Sequence, residues 1–594
     1  MTTTLQTIES KDYTISTLFN DFYTVPSYQR EYVWKDEQVE QLLTDIYDEF
    51  ADSDTQTSSE YFIGSIVALL KSDDTFELID GQQRTTTLFL ILCAVRDHLK
   101  AKGANPPETL IRQIASSSID SRGEDVYRYR ITLQYEDSMG VLEHIGSGDN
   151  GVEGFTETTR SVANILNAYR VIREYLESQF GDDAPAIRLF YAFFTRNVKL
   201  IRVKTVSMAH ALKVFETIND RGMGLDSMDL LKNLLFMHAT PSDFEILKNR
   251  WKEIVDTLYG AKEKPLRFLR YYVFATYDVE RIKEDEIYSW FTKHKSEVGY
   301  ERDPLGFAEH LLAAAKAYVT FLQGKSVDGS INRYLDNIRY LSGAARQHLI
   351  LLLAGRHLSD DAFVLLSKDL ENLFAAYIIA REPTKEFERT FARWARDLRE
   401  ARDLTDVQGF IERHFLKAKQ DLASRFSLAF RELRQDDLQK YRLKYVLAKL
   451  TQFVDEMAYG SQSHVTDLGV YLKNTIHIEH ILPQTPNEEV KKAFDKPEAY
   501  FDYVYRFGNL TLLENPIDSS IGRGLFEKKR RPYTMSNLLL TKSLGQVVGV
   551  GQNTAYTRAA GNLEVFETWT SSDVERRQRM LSQLANKVWE MPTA

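Results

Sequence analysis

In Ile476-His477-Ile478-Glu479-His480-Ile481-Leu482-Pro483, an acid and a histidine stand side by side at the end of an apolar run that proline closes. Downstream, Gly508-Asn509-Leu510-Thr511-Leu512-Leu513 brings an asparagine to the start of a second strand-like segment. These residue types suit phosphodiester hydrolysis. That reaction needs a base to align and deprotonate water, and a hard divalent cation on oxygen ligands to neutralise charge developing on the phosphate and leaving oxygen. His480 fits the first task and Glu479 the second. On an extended strand adjacent side chains point to opposite faces, so the two diverge unless the strand ends there; a loop from Pro483 lets both serve one site. His477 shares the face of Glu479, as an extra ligand or as a partner of the ligands. A lone histidine is more often a satisfied core or surface residue, and it is the later asparagine that turns the balance toward a nuclease.

The stretch Gly508 to Arg530, GNLTLLENPIDSSIGRGLFEKKR, resembles the second half of the HNH domain at the C-terminus of the GmrSD-type, modification-dependent (type IV) restriction enzymes, a family that includes BrxU-like and SspE-like single-chain proteins. The resemblance implies Glu479 as acidic metal ligand, His480 as general base and Asn509 as a brace for the base. At the helix position where the family usually has a ligand asparagine, this chain has Asp518, a better ligand for a hard cation. Asp518 precedes Ser519-Ser520 and could equally cap that helix. A second family asparagine is replaced by Arg523, whereas Phe526 and Lys528-Lys529 keep the expected ending. Trp569 to Trp589 is similar to the family's final helix.

The N-terminal third carries an independent signal in Val25-Pro26-Ser27-Tyr28-Gln29-Arg30-Glu31-Tyr32-Val33-Trp34 and in Phe76-Glu77-Leu78-Ile79-Asp80-Gly81-Gln82-Gln83-Arg84-Thr85-Thr86-Thr87. The second piece reads as a strand, a glycine turn and a threonine-capped helix running to about Lys102. A helix N-terminus beside a turn offers unpaired N–H groups and a positive dipole end, and Arg84 adds a fork for phosphate oxygens. An ordinary capped core helix explains the same pattern, because Leu88 to Val95 is apolar all round. YQREYVW and IDGQQRT resemble the ParB/sulfiredoxin-like N-terminal domain of the same family, and Phe215 to Leu225 with Asp229 to Lys232 resembles its third signature. The resemblance implies binding and hydrolysis of a nucleoside triphosphate. Its matching residues are Gln29, Arg30, Asp80, Gly81, Gln82, Gln83 and Arg84, with Asn219 and Arg221 in the third signature. No GxxxxGK[ST] sequence occurs, which argues against a P-loop motor.

The positioning elements follow from the rest of the chain. At 594 residues it holds several cores, and 43% hydrophobic, 27% charged and 12% aromatic residues are globular values. Its single cysteine, Cys93, lies in the apolar helix and reads as a small core residue. No segment is apolar enough for a membrane span, and MTTTLQTIES lacks a signal-peptide pattern, so a cytoplasmic protein is expected. The net charge of -10 opposes DNA binding unless a local basic patch exists. Arg523, Lys528, Lys529, Arg530 and Arg531 supply one beside the nuclease motif, and Tyr533 could stack there.

Between the two ends, Ile246 to Leu258, His310 to Leu322, Asp360 to Ala380, Glu388 to Arg402 and Leu438 to Met457 show helical spacing. Turn-rich breaks occur at Ser116 to Glu124 and Gly146 to Gly154. The aromatic cluster Phe268 to Tyr272 reads as helix packing. The expected class is α+β and multidomain: a ParB/sulfiredoxin-like nucleotide-binding domain over 1–240, a helical connector over 241–435, and a ββα-metal HNH nuclease over 436–594. The expected activity is nucleotide-regulated cleavage of modified phage DNA, using Mg²⁺ or Mn²⁺ and a nucleoside triphosphate. By family implication the modification is glucosylated hydroxymethylcytosine or backbone phosphorothioate. The competing expectation is a nucleotide-gated DNA-binding or regulatory protein with an inactive HNH fold. Double-stranded DNA and nucleotide are the expected partners, with no membrane, and a homodimer or larger homo-oligomer is expected.

Overall fold

The computed structural model describes residues 9–26, 29, 31–52, 60–72, 74–119, 122, 124–134, 138, 140–148, 159–205, 211, 214, 227–240, 242–460, 463–546, 561 and 563–592. The chain divides into two compact units, Met1–Glu253 with Tyr288–Glu309, and Ile254–Ile287 with His310–Ala594. No described helix is long and apolar enough to cross a membrane.

The first unit contains β1 (Glu9–Thr14), β2 (Phe22–Val25), β3 (Tyr61–Ser72), β4 (Thr75–Asp80), β5 (Ala115–Ile119), β6 (Asp125–Tyr129), β7 (Ile131–Leu133) and β8 (Val198–Thr205). Six of them build a mixed sheet in the order β1-β8-β3-β4-β2-β7. β4 buries four consecutive residues, Phe76 to Ile79, as a strand covered on both faces must. The helix Gln82–Ala101 follows at once, and Leu88 to Val95 are all buried. Its start differs from the sequence expectation. Gly81, at φ +81°, is the N-cap, while Thr85 and Thr87 lie inside the helix and donate their hydroxyls to the Gly81 and Gln83 carbonyls at 3.0 and 2.8 Å. A positive φ favours glycine, and a Cβ here would meet Ile66 Cγ2 at 2.4 Å. Cys93 is buried in this helix and burial pushes its thiol up to about 12, which keeps it inert.

Of the stretch Ser116 to Glu124, expected as a turn-rich break, Ser116 to Ile119 lie in β5, which pairs antiparallel with β6 and sets Ser117 opposite Tyr127, and Asp120, Ser121 and Gly123 are outside the described residues. Most of Gly146 to Gly154 lies outside the described residues.

The second unit is mainly helical. Of the helical stretches read from the sequence, Asp360–Ile379, Thr384–Arg399 and Lys440–Tyr459 lie wholly in it, whereas Phe244–Gly260 and Pro304–Leu322 begin in the first unit. Phe268, Leu269, Tyr271 and Tyr272 are buried, so this cluster packs rather than stacks on bases. A buried carboxylate, Glu371, ties three helices together by accepting from Tyr445 Oη at 2.7 Å, Lys449 Nζ at 2.9 Å and Asn337 Nδ2 at 3.1 Å.

This unit also carries an antiparallel ribbon, β9 (Ile476–His480) and β10 (Leu510–Glu514), with Leu510 opposite His480 and Thr511 opposite Glu479. Helices Asn515–Ile521 and Phe526–Tyr533 follow, and Ser571–Val588 closes the chain. Gly508 lets the closing helix approach, since a Cβ there would sit 2.3 Å from the Val574 carbonyl oxygen. Across that contact Arg577 Nη1 donates to the Gly508 and Leu510 carbonyls at 2.7 and 2.6 Å. Gln578 Nε2 reaches back to the Arg431 and Leu433 carbonyls at 2.8 and 3.0 Å.

Candidate active site

β9 ends at His480, where the chain leaves the ribbon. Asn509 is fully buried and controls the loop that follows. Its Oδ1 accepts from Leu482 N at 2.7 Å and Trp569 Nε1 at 2.9 Å, and its Nδ2 donates to the Leu482 and Val504 carbonyls at 3.2 and 2.9 Å. All four hydrogen-bonding positions of the carboxamide are used. Asn509 therefore braces the loop after the histidine, and not the imidazole itself.

The imidazole is held elsewhere. His480 Nε2 lies 2.5 Å from Gln435 Oε1, and among the described residues Nδ1 makes no hydrogen bond. Burial, with the charge of Lys529 adding to it, holds the His480 pKa down to about 4, so the ring is neutral near pH 7. His477 differs. Its Nδ1 faces Asp518 Oδ2 at 3.1 Å and its Nε2 faces the Asn474 carbonyl at 3.0 Å, so both nitrogens are engaged. Asp518 lies within the helix whose N-cap is Glu514, which excludes the cap role.

Glu479 Oε1 accepts from Lys529 Nζ at 2.7 Å and Tyr533 Oη at 2.9 Å, and Lys529 also donates to the His480 carbonyl at 3.0 Å. The Lys529 side chain is 1% exposed, so it does not belong to a DNA-facing patch as the sequence suggested. Tyr533 is likewise fully buried, which rules out base stacking; burial, reinforced by Glu479, holds its phenol protonated as a donor. Both residues follow from helix geometry, because Phe526, Lys529 and Tyr533 recur on one face and that face is the buried one. Arg523, Lys528 and Arg531 are exposed, whereas Arg530 is half-buried. Among the described residues no three His, Cys, Asp or Glu side chains converge as a metal-holding group. Gln435 and the roles of Lys529 and Tyr533 were missed by motif reasoning. Helical periodicity could have found the latter two, but nothing local marks Gln435.

In the first unit the strand-turn-helix places Asp80, Gly81, Gln82, Gln83 and Arg84 in one turn. Gln83 is a clamp for the preceding motif: its Oε1 accepts from Val33 N at 2.8 Å and its Nε2 donates to the Glu31 carbonyl at 3.0 Å. Its carboxamide is thus engaged by protein groups. Arg84 Nη1 donates to the Ser65 carbonyl at 2.9 Å, beneath Gly64, whose absent Cβ would lie 3.2 Å from that nitrogen. Burial lowers the Arg84 pKa and raises that of Asp80, and each group's charge opposes the other's shift. Gln29 Nε2 is buried with no hydrogen-bond partner among the described residues. Lys232, also buried, is pushed down to about 8 by burial against the charges of Asp229 and Glu31, and motif reading did not assign it a role. Arg30, Asn219 and Arg221 lie outside the described residues.

A strand ribbon carrying a neutral histidine beside carboxylates suits a nuclease. Residues 14–236 match the GmrSD restriction endonuclease N-terminal domain and residues 421–584 match the GmrSD restriction endonucleases C-terminal domain. The protein is thus of the restriction endonuclease class, whose substrate is DNA. It belongs to the GmrSD restriction endonuclease family. No curated protein matches the chain.

Proposed function

We propose that this protein is a metal-dependent, nucleotide-regulated endonuclease of the HNH type that cuts modified foreign DNA, with its chemistry at His480. The carrying observation is the pair of histidines: His480 is neutral with one ring nitrogen uncommitted, while both nitrogens of His477 are engaged. His480 Nδ1 takes the proton from the attacking water, and Asn509 keeps the loop beyond it fixed. His477 orients Asp518. Lys529 and Tyr533 hold Glu479.

The donor set fits a hard cation, since two carboxylates with water and substrate oxygens are enough for Mg²⁺ or Mn²⁺. Glu479 and Asp518 would hold it, and when bound it supplies charge neutralisation at the phosphate. Exposed Lys528, Arg531 and Arg523 provide the DNA backbone contacts.

In the first unit, the Gly81 turn, the Arg84 guanidinium and Gln29 Nε2, without a partner among the described residues, support a triphosphate site with control over cleavage. Asp80 borders that turn. Substrate modification and nucleotide identity are proposed at the level of class alone, as modified phage DNA and a nucleoside triphosphate.

The test is cleavage of differently modified phage DNAs with and without each triphosphate, for wild type and His480→Ala. His480→Ala is expected to lose about 10²–10⁴-fold in cleavage rate with DNA affinity kept. Wild-type cutting by that variant overturns the assignment. A second reading, regulation without cleavage, is favoured by Lys529 occupying Glu479. It predicts that calorimetry finds no Mn²⁺ binding that Asp518→Ala abolishes.

A further inference from the structure

The His480 ring meets Gln435, a residue outside every motif of the chain. Gln435 opens a short 3₁₀ turn ahead of the helix Lys440–Tyr459. Its backbone is fixed independently of its side chain. Gln435 N donates to the Tyr505 carbonyl at 2.8 Å, Phe507 N donates to the Leu433 carbonyl at 2.9 Å, and Arg434 and Arg506 form an antiparallel bridge. The segment before Gln435 thus runs along the segment that leads into Gly508 and Asn509. This pairing delivers the Gln435 carboxamide to the far side of the His480 ring, 45 residues away in sequence.

We propose that Gln435 is a positioning residue that fixes the tautomer of His480. Its Oε1 accepts the proton on Nε2, which leaves Nδ1 as the lone-pair nitrogen and therefore as the proton acceptor. A neutral imidazole carries one proton, so the partner of one nitrogen decides the chemistry of the other. Without Gln435 the ring loses its acceptor on Nε2 and populates the Nδ1–H form, which cannot take a proton from water at that atom. Gln435 touches neither substrate nor the reacting atoms and acts only through His480. The inference rests on the reading of His480 as the base.

The test uses the full-length chain carrying ¹⁵N-labelled histidine, with the His480 signal assigned by its absence in His480→Ala. The wild type is expected to show a protonated Nε2 and a lone pair on Nδ1. Gln435→Leu is expected to shift the signal toward the Nδ1–H tautomer and to slow kcat on the phage DNA that wild type cuts by about 10–100-fold, with KM unchanged. Gln435→Glu keeps an acceptor and is expected to restore the Nε2–H form, which a purely structural role for the residue would not produce. A wild-type ring protonated on Nδ1 overturns the proposal, because the carboxamide would then present its nitrogen. So does a Gln435→Leu variant with unchanged tautomer and rate while His480→Ala is inactive, and that result leaves the base assignment intact. Wild-type cutting by His480→Ala overturns the base reading and this proposal together.

Discussion

Lys529 shows how burial changes the meaning of a charge. In a basic run it reads as a DNA contact, yet its ammonium lies on Glu479 with almost no exposure. Removing one partner of a buried ion pair strands the other charge in a poor solvent, so Lys529→Met is expected to cost about 3–5 kcal/mol in denaturant unfolding. Replacing both partners by apolar residues should recover much of that loss. The same reasoning separates Lys529 from its exposed neighbours. Each exposed cation that neutralises a phosphate releases a counterion, so Lys528→Ala and Arg531→Ala should each reduce the slope of log affinity against log salt by about 1. Lys529→Met should leave the slope unchanged. A reduced slope for it in salt-dependent DNA binding would return Lys529 to the DNA surface.

Among the elements, the ribbon and its closing helix depend on one missing methyl group. Gly508 lies so close to the Val574 carbonyl that Ala must push the Ser571–Val588 helix away, disturbing the Arg577 and Gln578 hydrogen bonds. Gly508→Ala is expected to lower stability by about 1–3 kcal/mol through overpacking. Because Asn509 follows in sequence, the variant should also lose cleavage when assayed well below its melting temperature. Full activity there would mean that the Asn509 brace tolerates a displaced helix. Much of this was legible as residue type, since a glycine and an asparagine at a strand start ask for close approach and local hydrogen bonding. Their partners were not legible, because Val574 and Arg577 reach the ribbon from a distant helix and Trp569 from the segment just ahead of it.

For the molecule as a whole, stability should carry a pH dependence set in the second unit. Burial raises the Asp455 carboxyl from 3.8 to about 7, against the opposing hydrogen bonds from Leu539 N and Tyr471. The folded state therefore holds this proton more tightly than the unfolded chain. The contribution is fully present below the unfolded pKa, declines as pH rises, and is lost through about pH 7. Denaturant midpoints for wild type should fall between pH 5 and 8 by more than those of Asp455→Asn. Equal falls would remove Asp455 as the cause. The proposed nucleotide and cleavage sites lie in separate units, and a second outcome follows from the first of them. Arg84→Ala should weaken triphosphate binding in calorimetry while Mn²⁺ binding stays at its wild-type affinity. Loss of both would mean that the variant unfolds more than its own turn.

From its residues alone, the chain determined that a strand pair would carry Glu479 and His480 with Asn509 just ahead of the second strand, that Gly81 would sit between a strand and a buried helix, and that the middle would be helical. These are local properties, set by periodicity, by glycine's access to positive φ and by the chemistry each side chain can offer. Tertiary structure decided which histidine keeps a free nitrogen, which lysine leaves the basic patch for the site, and that Gln435 faces the imidazole. Each of those depends on groups 41 to 50 residues apart being brought within hydrogen-bond distance. A side chain's burial and partner come from the packing of other elements against its own, and sequence spacing does not encode that.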